Sequence, residues 1–137
     1  MGAGEEGSLR VLVAAATIVF LLDLAVAAAM VGGAGDVFYH PRSGAAGLVV
    51  FAAMAVIAAA ILRIGCRALS LTGGILIGAG VGNFTSAILW RGVPDYLVVG
   101  ETVFNVADAA AVVGGCAMIL VVTRVLAGGS RNVCQAA

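Results

Sequence analysis

Four apolar runs, at approximately 11–35, 44–62, 68–90 and 102–123, occupy most of this chain and leave only short polar stretches between them. At ~1.5 Å of rise per helical residue, runs of this length are matched to a bilayer core of about 30 Å. Composition points the same way. The 137 residues are 63% hydrophobic and 10% charged, with a mean hydropathy of +1.18, whereas a soluble domain is roughly 25% charged. The expectation is an all-α membrane protein in one domain, residues 1–137, with four transmembrane helices and short external loops. Seven arginines balance seven acids, so no basic surface is available for nucleic acid. Lysine is absent.

The chain opens on a polar decapeptide, Met1 to Arg10, that carries Glu5 and Glu6 and lacks the cationic bias of a secretory signal. The small residues of AAAMVGGAG suit a cleavage site, which is the competing reading of the first run. Its length and its internal Asp23 favour a retained helix instead. The polar stretch from Asp36 to Ser43 contains the single histidine, His40, and Pro41. The second run closes at Arg63, the third follows Arg67 without any charge, and the fourth contains Asp108 and ends before Arg124.

Arg10, Arg63, Arg67, Arg124 and Arg131 fall on one side of the four runs, and only Arg42 and Arg91 on the other. The positive-inside rule then makes both termini cytoplasmic. Asp95 and the start of the fourth helix face outward, with Trp90 and Tyr96 as interfacial aromatics. Cys66 and Cys134 lie toward a reducing compartment and Cys116 lies within the fourth run, where core packing is its expected role. No disulfide is expected.

In the third run Gly74, Gly78 and Gly82 recur every four residues and share one helical face, which lets another backbone approach closely. Asn83 and Ser86 lie beside that ridge. An interhelical hydrogen bond is the plain reading of Asn83.

Few chemistries are supplied with residues. A Ser/Lys pair is impossible without lysine, and a zinc site of the HExxH type fails with one histidine. A Ser/His or Cys/His nucleophile would need His40, which has no serine elbow nearby. What remains is a pair of carboxylates, Asp95 and Asp108, accompanied by two carboxamides, Asn83 and Asn105. An acid in hydrocarbon costs about 2.5 to 3.5 kcal/mol on insertion scales and is usually functional. Two acids sharing a site divide their protonation, which provides a base to activate water and an acid to protonate a leaving nitrogen. Asn105 is three residues before Asp108 on one helix face and can orient it. With Asp108 beyond the first turn, the helix field on it would be weak. The same residues would also serve a proton or ion relay, or a buried polar network.

GAGVGN (78–83), VPDY (93–96) and FNVAD (104–108) resemble the hallmark motifs of signal peptidase II, the lipoprotein signal peptidase, which read approximately G-A-x-G-N-x-x-D-R, V-V-D-F and F-N-x-A-D. The interval from Asn83 to Asp95 is the family's own. By that resemblance Asp95 and Asp108 are the catalytic pair, with Asn83 and Asn105 as polar neighbours. Ser86 and Ala87 replace the family's Asp-Arg, so the resemblance leaves substrate handling without its arginine. Arg91, one helical turn further on, is the candidate replacement near the substrate backbone. Asp23 aligns with the acid of D-Q-x-T-K, and GAA at 44–46 is similar to N-x-G-A-A-F with Arg42 in place of the asparagine. The first outer loop is shorter than the family's, so its external β-rich cradle is reduced or absent.

The resemblance implies a multi-pass aspartic endopeptidase of the bacterial cytoplasmic membrane, a monomer without cofactor or metal, in contact with membrane lipids. Its implied substrate is a prolipoprotein cleaved on the amino side of a diacylglyceryl-cysteine. Two other readings stay open. One is a catalytically weak or inactive paralogue that binds lipopeptides or lipoprotein precursors, and the other is a proton-coupled carrier, for which four helices without an inverted repeat are a poor design.

Overall fold

The computed structural model describes residues 3–33, 36–41, 44–129 and 134. Four helices carry the fold: α1 (Ala3–Val31), α2 (Gly44–Ile64), α3 (Arg67–Leu89) and α4 (Val106–Arg124), the last continuing as a short π-helical turn over Val125–Gly129. All four are long and apolar enough to cross a membrane. In lipid a helix satisfies its own backbone, which is why unbroken apolar sequence takes this form. Arg42 and Arg131, two of the arginines on which orientation rests, lie outside the described residues.

α1 starts earlier than the apolar run, because Ala3–Arg10 continue the same helix. Glu5 and Glu6 lie in its first turn, where the helix field favours anions. Glu6 accepts from Arg10 one turn on, at 2.6 Å, in the favourable order of charges for an i, i+4 pair.

α1 and α3 form the tightest pairing, through the predicted glycine ridge. A Cβ added at Gly74 would lie 2.5 Å from the Leu12 carbonyl oxygen, and one at Gly78 2.5 Å from that of Ala16. Any side chain there would force the helices apart. At Gly82 the missing Cβ leaves room for the Asp23 carboxylate, whose Oδ2 would lie 2.7 Å from an added Cβ.

α2 packs less closely. Its contacts include an edge-to-face pair of Phe51 and Phe84, with ring centroids 4.6 Å apart, and Ile61, which joins Leu12, Cys66 and Leu69 in a buried cluster. The helix ends at Gly65, whose φ of 66° provides the left-handed residue that turns the chain into α3.

Cys66 and Cys134 are joined by a disulfide, with Cα atoms 4.6 Å apart. This corrects the expectation of unpaired cysteines. That expectation rested on compartment, whereas the fold brings the Cα atoms of two residues 68 positions apart to 4.6 Å, within bridging range. Cys116 is also corrected: it is free and exposed on α4 rather than packed in a core.

Two small antiparallel pairs stand at the end of the bundle near Asp95. Strand β1 (Phe38–His40) pairs with β2 (Val93–Asp95), aligning Phe38 with Asp95 and His40 with Val93. Strand β3 (Leu97–Val99) pairs with β4 (Thr102–Phe104) across Gly100 and Glu101, and Gly100 takes a φ of 61°, as tight hairpin turns require. Some β structure is therefore present at this end of the bundle, in two short pairs. Because residues 102–104 pair as a strand, the fourth helix begins at Val106, later than the apolar run suggests.

Candidate active site

The start of α4 is held by side chains from three parts of the chain. A helix leaves its first N–H groups without intrahelical partners. Here the Val106 N–H donates to the Tyr96 hydroxyl at 3.4 Å, Ala107 N–H to Oδ1 of Asp23 at 3.0 Å, and Asp108 N–H to Oδ1 of Asn105 at 2.9 Å. Asn105 is the N-cap, and Asp108 returns the bond by accepting the Asn105 N–H through Oδ2 at 3.4 Å. This reciprocal capping box places Asp108 at the third helical position, inside the first turn. The expectation that it lay beyond that turn is corrected, because the N-cap is Asn105.

The four predicted polar residues converge. Nδ2 of Asn105 donates to Oδ1 of Asp95 at 2.9 Å and to Oδ1 of Asn83 at 2.8 Å. Nδ2 of Asn83 in turn donates to Oδ1 of Asp108 at 2.8 Å. The two carboxylates are thus linked through two amides on α3 and at the head of α4. Asn83 makes interhelical hydrogen bonds, as expected, and these bonds end on an acid. Asp95 and Asn105 are buried, while Asn83 and Asp108 are half-buried.

Three further residues belong to this cluster. His40 Nδ1 is hydrogen-bonded to Oδ2 of Asp95. Asp23, only 1% exposed, anchors α4 from α1. Tyr96 is buried. Burial pushes its phenol above the ordinary value, opposed by the Val106 N–H and reinforced by the charges of Asp23, Asp95 and Asp108. Asp23 was detectable as the only charge within the first apolar run, and the rule applied to Asp108 applies equally to it. The partnership of His40 depends on a strand register that no local pattern in the sequence encodes.

Arg91 is not part of the network. It is exposed just beyond α3, with a φ of 57° that is uncommon for a residue with a side chain. Ser86 is buried with its hydroxyl unpaired. Ala87 lines a cavity of about 600 Å³ bounded by α2, α3 and α4. The walls are mainly apolar, among them Val50, Phe51, Met54 and Phe84, and Asn83 and Asp108 supply their polar groups. Among the described residues no group of three or more His, Cys, Asp or Glu is arranged to hold a metal.

Two solved structures of bacterial membrane enzymes, obtained by the in meso method, share this fold. One, at 1.9 Å resolution, is 18% identical, with a TM-score of 0.58 over 81% of this chain and 91% of its own. The other, at 2.3 Å resolution, is 15% identical, with a TM-score of 0.63 over 88% of this chain and 90% of its own. A search of curated proteins returns no match. The sequence model of signal peptidase (SPase) II matches residues 31–124, a segment that contains both small β pairs, the cavity and all four networked polar residues. With the motifs, the four spans and the extent of that match in agreement, the chain belongs to the signal peptidase II family, the lipoprotein signal peptidases.

Proposed function

We propose that the protein is an aspartic endopeptidase in which Asp95 and Asp108 are the catalytic pair. Its substrate is a prolipoprotein whose signal peptide is removed on the amino side of a diacylglyceryl-cysteine. One carboxylate takes a proton from water as the oxygen attacks the scissile carbonyl carbon. The other, protonated, gives its proton to the cysteine nitrogen as the C–N bond breaks. The products are the carboxyl end of the signal peptide and the free amino group of the lipid-modified cysteine. Any titration belongs to the pair and not to either acid alone.

The observation that carries this reading is the Asp95–Asn105–Asn83–Asp108 network, with Asp108 and Asn83 at the wall of an apolar cavity. A cavity with mainly apolar walls suits an apolar signal segment or an acyl chain, and its few polar groups are the ones needed for hydrolysis. Asn83 and Asn105 support the acids. Arg91, exposed and without a hydrogen-bond or ion-pair partner among the described residues, is offered to the substrate backbone. We place the protein in a bacterial cytoplasmic membrane as a monomer, with both termini cytoplasmic and the acids toward the outer face. The arginine distribution supports that orientation.

The test is cleavage of a purified lipid-modified prolipoprotein in detergent, followed as a mobility shift. Asp95→Asn and Asp108→Asn nearly preserve size, and each should lower the rate by about two to four orders of magnitude. Ser86→Ala removes an unpaired buried hydroxyl and should cleave like wild type. Equal cleavage by wild type and both Asn variants overturns the aspartic mechanism. Failure of the wild type on any prolipoprotein favours the lipopeptide-binding alternative.

A further inference from the structure

The single histidine of the chain lies between two spans, outside every motif of the family resemblance, and yet its ring meets the proposed catalytic pair. In the antiparallel β1–β2 pair, His40 stands opposite Val93 and Phe38 opposite Asp95. Asp95 is therefore two residues from the position facing His40 and on the same face, a diagonal relationship that long side chains can bridge. The pair differs sharply in access. The His40 side chain is 60% exposed and that of Asp95 6%, so the contact joins a ring open to solvent to a buried carboxylate.

With the ring proton on Nδ1, each oxygen of Asp95 has its own donor. Asn105 Nδ2 holds Oδ1 at 2.9 Å, and the His40 ring holds Oδ2 through Nδ1. A carboxylate with one donor can still turn about its Cβ–Cγ bond, whereas donors on both oxygens fix the plane of the group. Both donors to Asp108, Nδ2 of Asn83 and the N–H of Asn105, come from amides, so the imidazole distinguishes the two acids.

We propose that His40 is a positioning residue for Asp95, holding Oδ2 while Asn105 holds Oδ1, so that strand β1 sets the orientation of one acid of the pair. The role rests on the peptidase reading above. His40 itself touches no reacting atom in this role. It acts through Asp95, and its loss therefore affects turnover and not substrate capture. Its exposure also means that truncating it opens no buried cavity.

Two measurements test this on the full-length protein. The first is steady-state cleavage of the lipid-modified prolipoprotein. Loss of a hydrogen bond to a charged group corresponds to about 10- to 100-fold in rate. His40→Ala should lower kcat by that factor with KM within about twofold. His40→Asn, which keeps an N–H donor near the position of Nδ1, should recover most of it. The second measurement needs no activity: selective 15N-histidine labelling yields ring signals from His40 alone, and those signals should move in Asp95→Asn.

A His40→Ala variant with wild-type kcat overturns the proposal, as do ring signals indifferent to Asp95→Asn. Equal losses in His40→Ala and His40→Asn, with lowered thermal midpoints in both, assign His40 a structural role and also overturn it. Wild-type protein that cleaves no lipid-modified substrate defeats the peptidase reading itself, an outcome distinct from the failure of His40 alone.

Discussion

The side-chain nitrogen of Asn105 lies 2.9 Å from Oδ1 of Asp95, while its side-chain oxygen accepts the Asp108 N–H at the same distance. One carboxamide therefore orients the strand-borne acid and caps the helix that carries the other. Stability at the start of α4 and geometry between the acids are coupled through this residue. Neither can be altered at Asn105 without the other.

Asp23 is expected to act on folding more than on chemistry. Its carboxylate accepts the buried Ala107 N–H, and removing the acceptor leaves that donor unpaired. Asp23→Ala should cost about 1 to 3 kcal/mol, read as a lower thermal midpoint in detergent. Asp23→Asn keeps an acceptor oxygen and should lose less. In both variants the folded fraction should retain kcat within about tenfold of wild type. An unchanged midpoint in Asp23→Ala would remove the anchor role.

Arg91 provides a test of substrate capture. Arg91→Gln should raise KM severalfold at unchanged kcat, the signature of lost uniform binding. Unchanged KM and kcat would instead mark Arg91 as an interfacial arginine whose charge reaches the headgroups.

Tyr96 predicts a pH dependence. Burial raises its phenol in the folded protein above the ordinary 10.0. Above that value the unfolded chain releases the proton first, so it binds fewer protons than the native state and stability falls as pH rises. The Tyr96 contribution is complete below about pH 10 and is lost progressively above it. Tyr96→Phe should flatten the decline of the thermal midpoint above about pH 10. An identical alkaline decline in both proteins would exclude Tyr96 as its source.

The features legible in the order of the amino acids are those with a local physical cause. Apolar runs matched to the bilayer dictate four helices. The four-residue spacing of Gly74, Gly78 and Gly82 marks the face that α1 approaches, because side chains at that interval stack on one side of a helix. Asn105 and Asp108, three apart, form a capping box within one turn. The motifs around Asn83, Asp95 and Asp108 name the networked residues through the family resemblance, and most of each motif lies on one element.

What the tertiary structure alone decided is long-range. His40 meets Asp95 across 55 positions, Asp23 holds Ala107 across 84, and Cys66 bridges to Cys134 across 68. Hydropathy is set by the transfer of each residue into lipid and needs no partner, so it can be read along the chain. A hydrogen bond or a disulfide exists only where register and close packing bring two groups within a few ångströms. For His40 that register is the β1–β2 pairing, and for Asp23 it is the approach of α1 to α3 across side-chain-free glycines, which leaves its carboxylate beneath the first turn of α4.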